Sequence, residues 1–556
     1  MGDPRLQRPL DGEGSLARAD DRQAPPAGFL GRPESAFALA LLVLALRTLA
    51  FVARDKHYLI LDDAFVSFRY ARNLVRGLGL VFNPGERVEG YTNFLWTILL
   101  AGCARRGLDM VTAAVFLAFL ATAGTLLVLL LLGLRLFADA GKPGRWLAAL
   151  PPLLFAAGGA QARYVLSGME TSLFVFLVVL ALYLAICGGR PVLTGLAFAL
   201  AAMTRPEGAL YLGVYLLFHL FRGEGGWRGR LASGARLLGG FLLLYLPYFI
   251  WRWQYYGFLL PNTFYLKAGS GPSGPLLHRG FLHLLQTGRQ AGLELPLLVA
   301  LLGLPAIRRN RVWGLFWLAV VATAVYVVLI GGDFLFFFGP RFLNPILPLA
   351  LLLAARGVGA LLGWAEGRRA LRAAPGVVAI LLLLANALWF SWPARSKELA
   401  YLPVINESWT ELGKWLARHT SEDAVVAVGA VGRIPYYADR VTIDMLGLTD
   451  RHIAHLPIPL GTGIPGHEKY DTAYVLARRP DYLVFPRLDP QGRPFLVGWS
   501  EHRQAIEAEY EMVALARMVD SPAPWIQEAS AWTPELGKQG YAAALYRRRT
   551  PAADGE

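Results

Sequence analysis

Between residues 36 and 392 the chain returns repeatedly to apolar runs broken by short arginine-bearing loops, and this pattern constrains the fold more than any other feature. A helix needs about 20 mostly apolar residues to cross a bilayer. Candidate spans fall near 36–53, 93–104, 110–136, 146–161, 171–188, 191–204, 208–221, 236–252, 292–307, 312–330, 343–363 and 374–392. In hydrocarbon every backbone polar group needs a partner within the chain, so such runs fold as a helical bundle. The composition agrees: 17% of the residues are charged, against roughly a quarter in soluble domains. A net charge of +14 would suggest nucleic acid in a soluble protein. Here the arginines sit in short loops between apolar runs, where positive charge sets orientation, so nucleic-acid binding is not expected. With only Cys103 and Cys187, no disulfide framework or metal cluster is legible.

Charge also predicts the topology. Residues 1–34, rich in Arg, Pro and Gly, read as a disordered cytoplasmic tail. The apolar run that follows lacks a small-residue cleavage site and reads as a retained anchor. Clusters at Arg222, Arg228, Arg230 and Arg236, at Arg308, Arg309 and Arg311, and at Arg368, Arg369 and Arg372 go inside with the tail. The loops 54–92, 253–291 and 331–342 then lie outside, as does everything after 393. An even number of crossings would return the C-terminus to the cytoplasm, so one run between 93 and 161 re-enters or two merge, giving about eleven spans. The expected fold is mainly α: a polytopic bundle over 35–392 and a soluble extracytoplasmic α/β domain over 393–556. In the latter Trp409, Leu412, Trp415 and Leu416 have helical spacing, and 424–428, 441–445 and 480–485 read as strands.

The first outer loop, 54–92, holds the densest group of unusual residues. Asp62 and Asp63 open a helical pattern in which Phe65, Phe68, Ala71 and Val75 share one face and Arg69, Arg72, Asn73 and Arg76 another. This reads as an amphipathic helix at the membrane surface, with carboxylates at its N-terminus and a guanidinium stripe near lipid headgroups. Arginine grips phosphate with paired hydrogen bonds, and a carboxylate orients or deprotonates an acceptor hydroxyl. The bland alternative makes Asp62 a helix cap and the arginines headgroup anchors. Adjacent carboxylates repel and shift each other's pKa, which favours a functional pair. Asp62, Glu170, Arg205, Glu207, Lys267, Asp333 and Arg341 all fall on the outer side, which suggests one polar cavity. Taken singly, Glu170 reads as a cap, Arg205 and Glu207 as a mutual pair, and Lys267 as a snorkelling side chain.

The run Asp62-Asp63-Ala64-Phe65 to Arg69-Tyr70-Ala71-Arg72-Asn73, followed by Asn83-Pro84-Gly85-Glu86 and Glu89-Gly90-Tyr91-Thr92-Asn93, resembles the terminal β-(1→2) arabinofuranosyltransferase family of the actinobacterial cell wall. That family is of the GT-C class of membrane glycosyltransferases. Ser167-Gly168-Met169-Glu170-Thr171, Thr204-Arg205-Pro206-Glu207-Gly208, Pro261-Asn262-Thr263-Phe264-Tyr265, Gly332-Asp333 with Arg341-Phe342, Asp444-Met445-Leu446-Gly447 and Gly466-His467-Glu468-Lys469 fit it too. The resemblance covers nearly all of 36–490, although 333–338 is more apolar than the family pattern.

The resemblance implies transfer from a polyprenyl-phosphate sugar, arabinofuranose or a related pentose, to a cell-envelope polysaccharide or glycolipid on the outer face of the inner membrane. The candidates for the donor phosphate are Arg69, Arg72, Arg205, Lys267 and Arg341, and Asp62 or Asp63 for the acceptor hydroxyl. Tyr91, Asn93, Glu170, Glu207, Asn262, Asp333, Asp444, His467 and Glu468 are the implied substrate contacts. With inversion one Asp is the general base; with retention, as the family is considered to proceed, the departing phosphate takes the proton. A divalent cation beside the Asp pair is possible, though no ligand spacing demands it. A transporter would place polar residues near the midplane in repeated halves, and no clear repeat is present; a non-catalytic scaffold linked to motility would not need the outer Asp and Arg set.

Overall fold

The computed structural model describes residues 32–54, 60–140, 142–223, 225–269, 271–334, 338–368, 373–389, 393–494, 498 and 500–550. The expected tail lies outside these residues but for its last few positions.

The membrane half is helical: α1 (Pro33–Arg54), α2 (Asp62–Val75), α3 (Phe94–Ala104), α4 (Met110–Leu136), α5 (Lys142–Ala157), α6 (Gly159–Leu166), α7 (Thr171–Cys187), α8 (Pro191–Thr204), α9 (Gly208–Arg222), α10 (Trp227–Tyr256), α11 (Asn262–Ala268), α12 (Gly274–Ala291), α13 (Glu294–Leu301), α14 (Val312–Leu329), α15 (Leu347–Ala365) and α16 (Ala374–Trp389). Five of them, α1, α4, α10, α14 and α15 with its preceding turn, are long and apolar enough to cross a membrane. The short α6 and α7 form a further apolar pair bent by 118°. Leucines on α1, α4 and α10, among them Leu49, Leu120 and Leu243, stand exposed, as lipid-facing side chains do. Where α8 meets α10 the backbones nearly touch: a Cβ on Gly195 would lie 2.0 Å from the Leu237 carbonyl oxygen, and one on Gly240 2.3 Å from that of Val192. Small residues permit this approach, which replaces a hydrophobic driving force inside lipid.

Two expectations need correction here. The run 292–307 is not one span, because Gly303 and Pro305 break it into α13 and a 3₁₀ turn at Leu304–Arg308. The loop before it is not plain loop, since Ser273 caps the amphipathic α12 by accepting the Leu276 N–H.

The C-terminal half begins with α17 (Pro393–His419) and builds a six-stranded sheet from β1 (Val425–Val428), β2 (Val441–Asp444), β3 (Tyr482–Phe485), β4 (Tyr510–Arg517), β5 (Ile526–Glu528) and β6 (Tyr541–Arg548). The strand order is β2-β1-β3-β6-β4-β5. β1 is parallel to β2 and β3, pairing Val426 with Thr442 and Tyr482, while β6 and β4 continue the sheet antiparallel. Val426, Ala427 and Val428 are all buried, as strands covered on both faces are. One face packs on Leu412 and Leu416 of α17. The other packs on Ile453, Val475 and Ile506 from the short helices α19 (Arg451–Ala454), α20 (Thr472–Ala477) and α21 (Arg503–Glu509).

The first loop is not a surface appendage of the bundle. Val66 and Tyr70 of α2, with Leu80, Phe82 and Tyr91 behind it, share a core with α17 and the sheet. Phe65, Phe68 and Ala71 on the other face of α2 pack with Trp96, Leu100 and Tyr164 of the bundle. An amphipathic helix at the membrane surface was expected; α2 is instead clamped between the two halves and buried along both faces.

Candidate functional site

A cavity of about 1220 Å³ lies between the bundle and the C-terminal domain. Asp63, Lys267, Asp333, Phe334 and His467 line one part. Gly429 to Val431 after β1, Asp444 and Leu446 at the end of β2, and Pro486 and Arg487 after β3 line another. The cavity therefore meets the carboxyl ends of the parallel strands, where β2 and β3 diverge from β1. Open α/β sheets bind ligands at such switch points. Trp409 of α17 adds an aromatic wall.

The two adjacent carboxylates have separated roles. Asp62 points at the C-terminal domain, where its Oδ2 accepts the Gly432 N–H at 3.1 Å and its Oδ1 the Arg433 N–H at 2.7 Å. These donors start the short helix α18 (Arg433–Ala438). Burial pushes the Asp62 carboxyl up to about 6 against the pull of these two N–H groups. Asp63, one residue on, keeps a side chain 42% exposed and stands 4.0 Å from Arg341 Nη1. Arg341 also donates to Asp333 Oδ1 at 2.9 Å. Burial works to raise the Asp333 pKa, but Arg341, Lys267 and His283 together hold it below the ordinary carboxylate value. Burial lowers the pKa of His467, whose ring lies 4.7 Å from that of Phe334. Lys267 runs against Gly466, whose added Cβ would meet Lys267 Cε at 3.1 Å.

Behind this part a buried polar chain runs into the bundle. Ser67 exchanges hydrogen bonds with Asn93, Asn93 donates to Glu170 at 2.8 Å, and Arg205 donates to both Glu170 and Glu207 at 2.8 Å. Buried charges persist where pairing and hydrogen bonds compensate for lost water. Arg205 is thus held by two carboxylates. Asn93 meets Glu170 directly, and Glu207 joins the chain through Arg205.

Arg69 and Arg72, also expected at the donor phosphate, bond within the protein. Arg69 is fully buried and donates to the carbonyls of Phe82, Pro435 and Arg440 and to Asn83 Oδ1. Arg72 donates to the Tyr436 carbonyl and to Asp439 Oδ1 at 2.7 Å. The stripe that looked suited to headgroups binds α2 to α18 and β2. Tyr91 Oη lies 3.1 Å from Tyr256 Oη, and Asn262 Nδ2 bonds the Gly447 and Leu448 carbonyls. Glu468 accepts the Gly461 and Gly463 N–H groups and pairs with Arg279 at 2.9 Å. Asp444 borders the cavity but turns its carboxylate onto the N–H groups of Leu446, Gly447 and Thr449; burial raises its pKa to about 6.

Sequence reasoning missed Arg433, whose guanidinium donates to the Ile60 carbonyl at 2.8 Å and to Thr410 Oγ1 at 3.1 Å. It also missed the buried Glu89–Arg252 pair at 2.8 Å. Arg252 left a signal, a charge between Trp251 and Trp253 in an apolar run; Arg433 left none. Among the described residues, no three His, Cys, Asp or Glu side chains converge as metal ligands.

Residues 399–543 match the family model described as Domain of unknown function (DUF8728). Over 268 residues the chain is 33% identical to the terminal beta-(1->2)-arabinofuranosyltransferase of Mycobacterium tuberculosis, covering 45% of this chain and 41% of that protein. It is 27% identical over 434 residues to the protein of the same name from Corynebacterium glutamicum, covering 68% of this chain and 58% of that one. The matches thus span about half the length of these relatives. The crystal structure of ArnT from Cupriavidus metallidurans in the apo state superposes with a TM-score of 0.59 at 14% identity, covering 94% of this chain and 98% of that chain. Its complex with undecaprenyl phosphate gives 0.57 with the same identity and coverage. At this identity the likeness speaks for the fold alone, a multi-pass helical membrane bundle joined to a second domain.

Proposed function

We propose that this chain is a membrane glycosyltransferase that moves a sugar, arabinofuranose or a related pentose, from a polyprenyl-phosphate donor to a cell-envelope glycan or glycolipid. The observation that carries this reading is the gathering of Asp63, Lys267 and Asp333 around one cavity where the bundle meets the C-terminal domain, with Arg341 beside it, paired to Asp333 and 4.0 Å from Asp63. The names of the two relatives support the sugar, and the ArnT complex with undecaprenyl phosphate supports the carrier.

Lys267 and Arg341 bind the donor phosphate and stabilise the charge that grows on it as the bond between the anomeric carbon and the phosphate oxygen breaks. Asp63 binds the acceptor hydroxyl, whose oxygen forms the new bond to that carbon. If the anomeric centre inverts, Asp63 takes the hydroxyl proton; if it is retained, the departing phosphate takes it and Asp63 orients the hydroxyl. The crevice at the strand ends, with Trp409 beside it, receives the acceptor. Asp62, Asp333 and the chain from Asn93 to Glu207 hold the reacting groups in place.

The reaction belongs on the outer face of the plasma membrane, with the C-terminal domain extracytoplasmic. Two of the arginine-rich loops meet, Arg311 Nη1 donating to the Arg222 carbonyl at 3.1 Å, which supports one basic end for the bundle.

The test is reconstitution in proteoliposomes with polyprenyl-phosphate arabinofuranose and an arabinan acceptor, followed by NMR assignment of the product anomer. Transfer is the expected result, and the anomer decides where the proton goes. Failure with this donor and with a panel of other lipid-phosphate sugars would overturn the reading.

A further inference from the structure

The C-terminal domain reaches the first turn of α2 through one short loop. After β1 the chain runs Gly429-Ala430-Val431 along the cavity, then turns at Gly432 and Arg433 onto Asp62. Both Asp62 carboxylate oxygens are taken by the two backbone N–H groups there. A side chain at Gly432 is excluded, because its Cβ would lie 2.0 Å from the Asp62 carbonyl oxygen. The Arg433 side chain closes the grip from behind. Its guanidinium bonds the Ile60 carbonyl, which also accepts from Asn406 Nδ2 at 2.9 Å, and lies 4.3 Å over the Phe65 ring. Ile60, Asp62 and Phe65, on either side of Asp63, are thus held by groups 340 or more positions away in sequence, while the Asp63 carboxylate stays 42% exposed at the cavity, 4.0 Å from Arg341.

From this we infer that Gly432 and Arg433 are positioning residues that set the aim of Asp63, so that the C-terminal domain completes the catalytic site as well as walling the acceptor crevice. The inference rests on the proposed function for its kinetic consequence, but the grip itself is observable without activity. Donor phosphate binding depends on Lys267 and Arg341, which the grip does not touch. A misaimed Asp63 therefore slows the chemical step and leaves donor affinity alone; a displacement of about 1 Å costs on the order of a hundredfold in rate.

The experiment uses the full chain in proteoliposomes, comparing wild type, Gly432→Ala, Arg433→Gln, Arg433→Lys and, as a control in open space, Gly363→Ala. Transfer kinetics, polyprenyl-phosphate binding and amide hydrogen exchange over residues 60–75 are measured on each. In Gly432→Ala and Arg433→Gln, kcat falls by roughly tenfold to a hundredfold at an unchanged donor Kd, and exchange in α2 rises while that in α15 does not. Arg433→Lys, which can still donate to Ile60, recovers part of the rate, and Gly363→Ala behaves as wild type. Should Gly432→Ala not fold, Thr410→Val removes one bond from Arg433 without touching the backbone and lowers kcat in the same selective way. Unchanged kcat and exchange in the folded variants would overturn the inference. So would kcat and donor affinity falling together, which marks a loss of fold rather than of aim. An inactive wild type would defeat the functional reading instead, and the exchange data would still decide whether the grip orders α2.

Discussion

At the residue scale the pair Asp62 and Asp63 shows how neighbours of identical chemistry diverge. The sequence marked the pair, because two adjacent carboxylates opening a helix are costly and conspicuous. It did not divide the work between them, since that depends on which one meets Gly432 and Arg433, far along the chain. Asp62→Ala leaves two part-buried N–H groups without their partner, at up to about 1–3 kcal/mol each, and a lowered melting temperature checks this. Folding raises the Asp62 pKa from 3.8 to about 6. The folded state therefore holds that proton more tightly, so the contribution of the group to stability is present at low pH and is lost as pH rises through about 6. In thermal melts the wild type should accordingly gain on Asp62→Asn as pH drops from about 7 to about 5; a difference that shrank with acid would mean that the two N–H groups win over burial. Arg341→Ala removes the partner of Asp333 and one arm of the phosphate site. It should weaken polyprenyl-phosphate binding by roughly tenfold or more, measured by ligand-dependent thermal shift, whereas Arg69→Ala should lower stability through its lost carbonyl bonds.

At the element scale the apolar runs announced the helices closely: α4, α8 and α14 start and stop within a residue or two of the expected bounds, because lipid demands length and apolarity at once. What periodicity could not show is a helix buried on both faces. Arg69 and Asn73 on α2 read as a face turned to lipid headgroups, yet their hydrogen-bonding groups are spent on carbonyls of the second half and of the loop behind. The first three strands were legible as short β-branched runs. Strands β4 and β6 were not, since Tyr510–Arg517 and Tyr541–Arg548 contain alanine-rich sequence of helical propensity. Their neighbours in the sheet override that preference. The close crossing of α8 and α10 gives a test at this scale. Gly240→Val must push its side chain into the Val192 backbone, and overpacking of this kind costs about 1–3 kcal/mol. A fall in melting temperature is expected, with donor affinity per folded molecule unchanged.

At the scale of the whole molecule, two halves that the sequence placed side by side prove to be interlocked. The first loop enters the core of the C-terminal domain, that domain returns a loop to α2, and the cavity takes its walls from both. Secretion of the C-terminal half alone should therefore give an unstable fragment that exposes the surface left by Val66, Tyr70 and Phe82, and co-expression of the two halves should restore more order than either shows alone. The measurement that bears most directly on the central claim is transfer from polyprenyl-phosphate arabinofuranose by Asp63→Asn in proteoliposomes, with donor binding followed on the same sample. The account predicts that transfer falls by roughly a hundredfold or more while the donor still binds. Full transfer by the folded variant would place the acceptor-binding carboxylate elsewhere and contradict the assignment of this cavity as the active site.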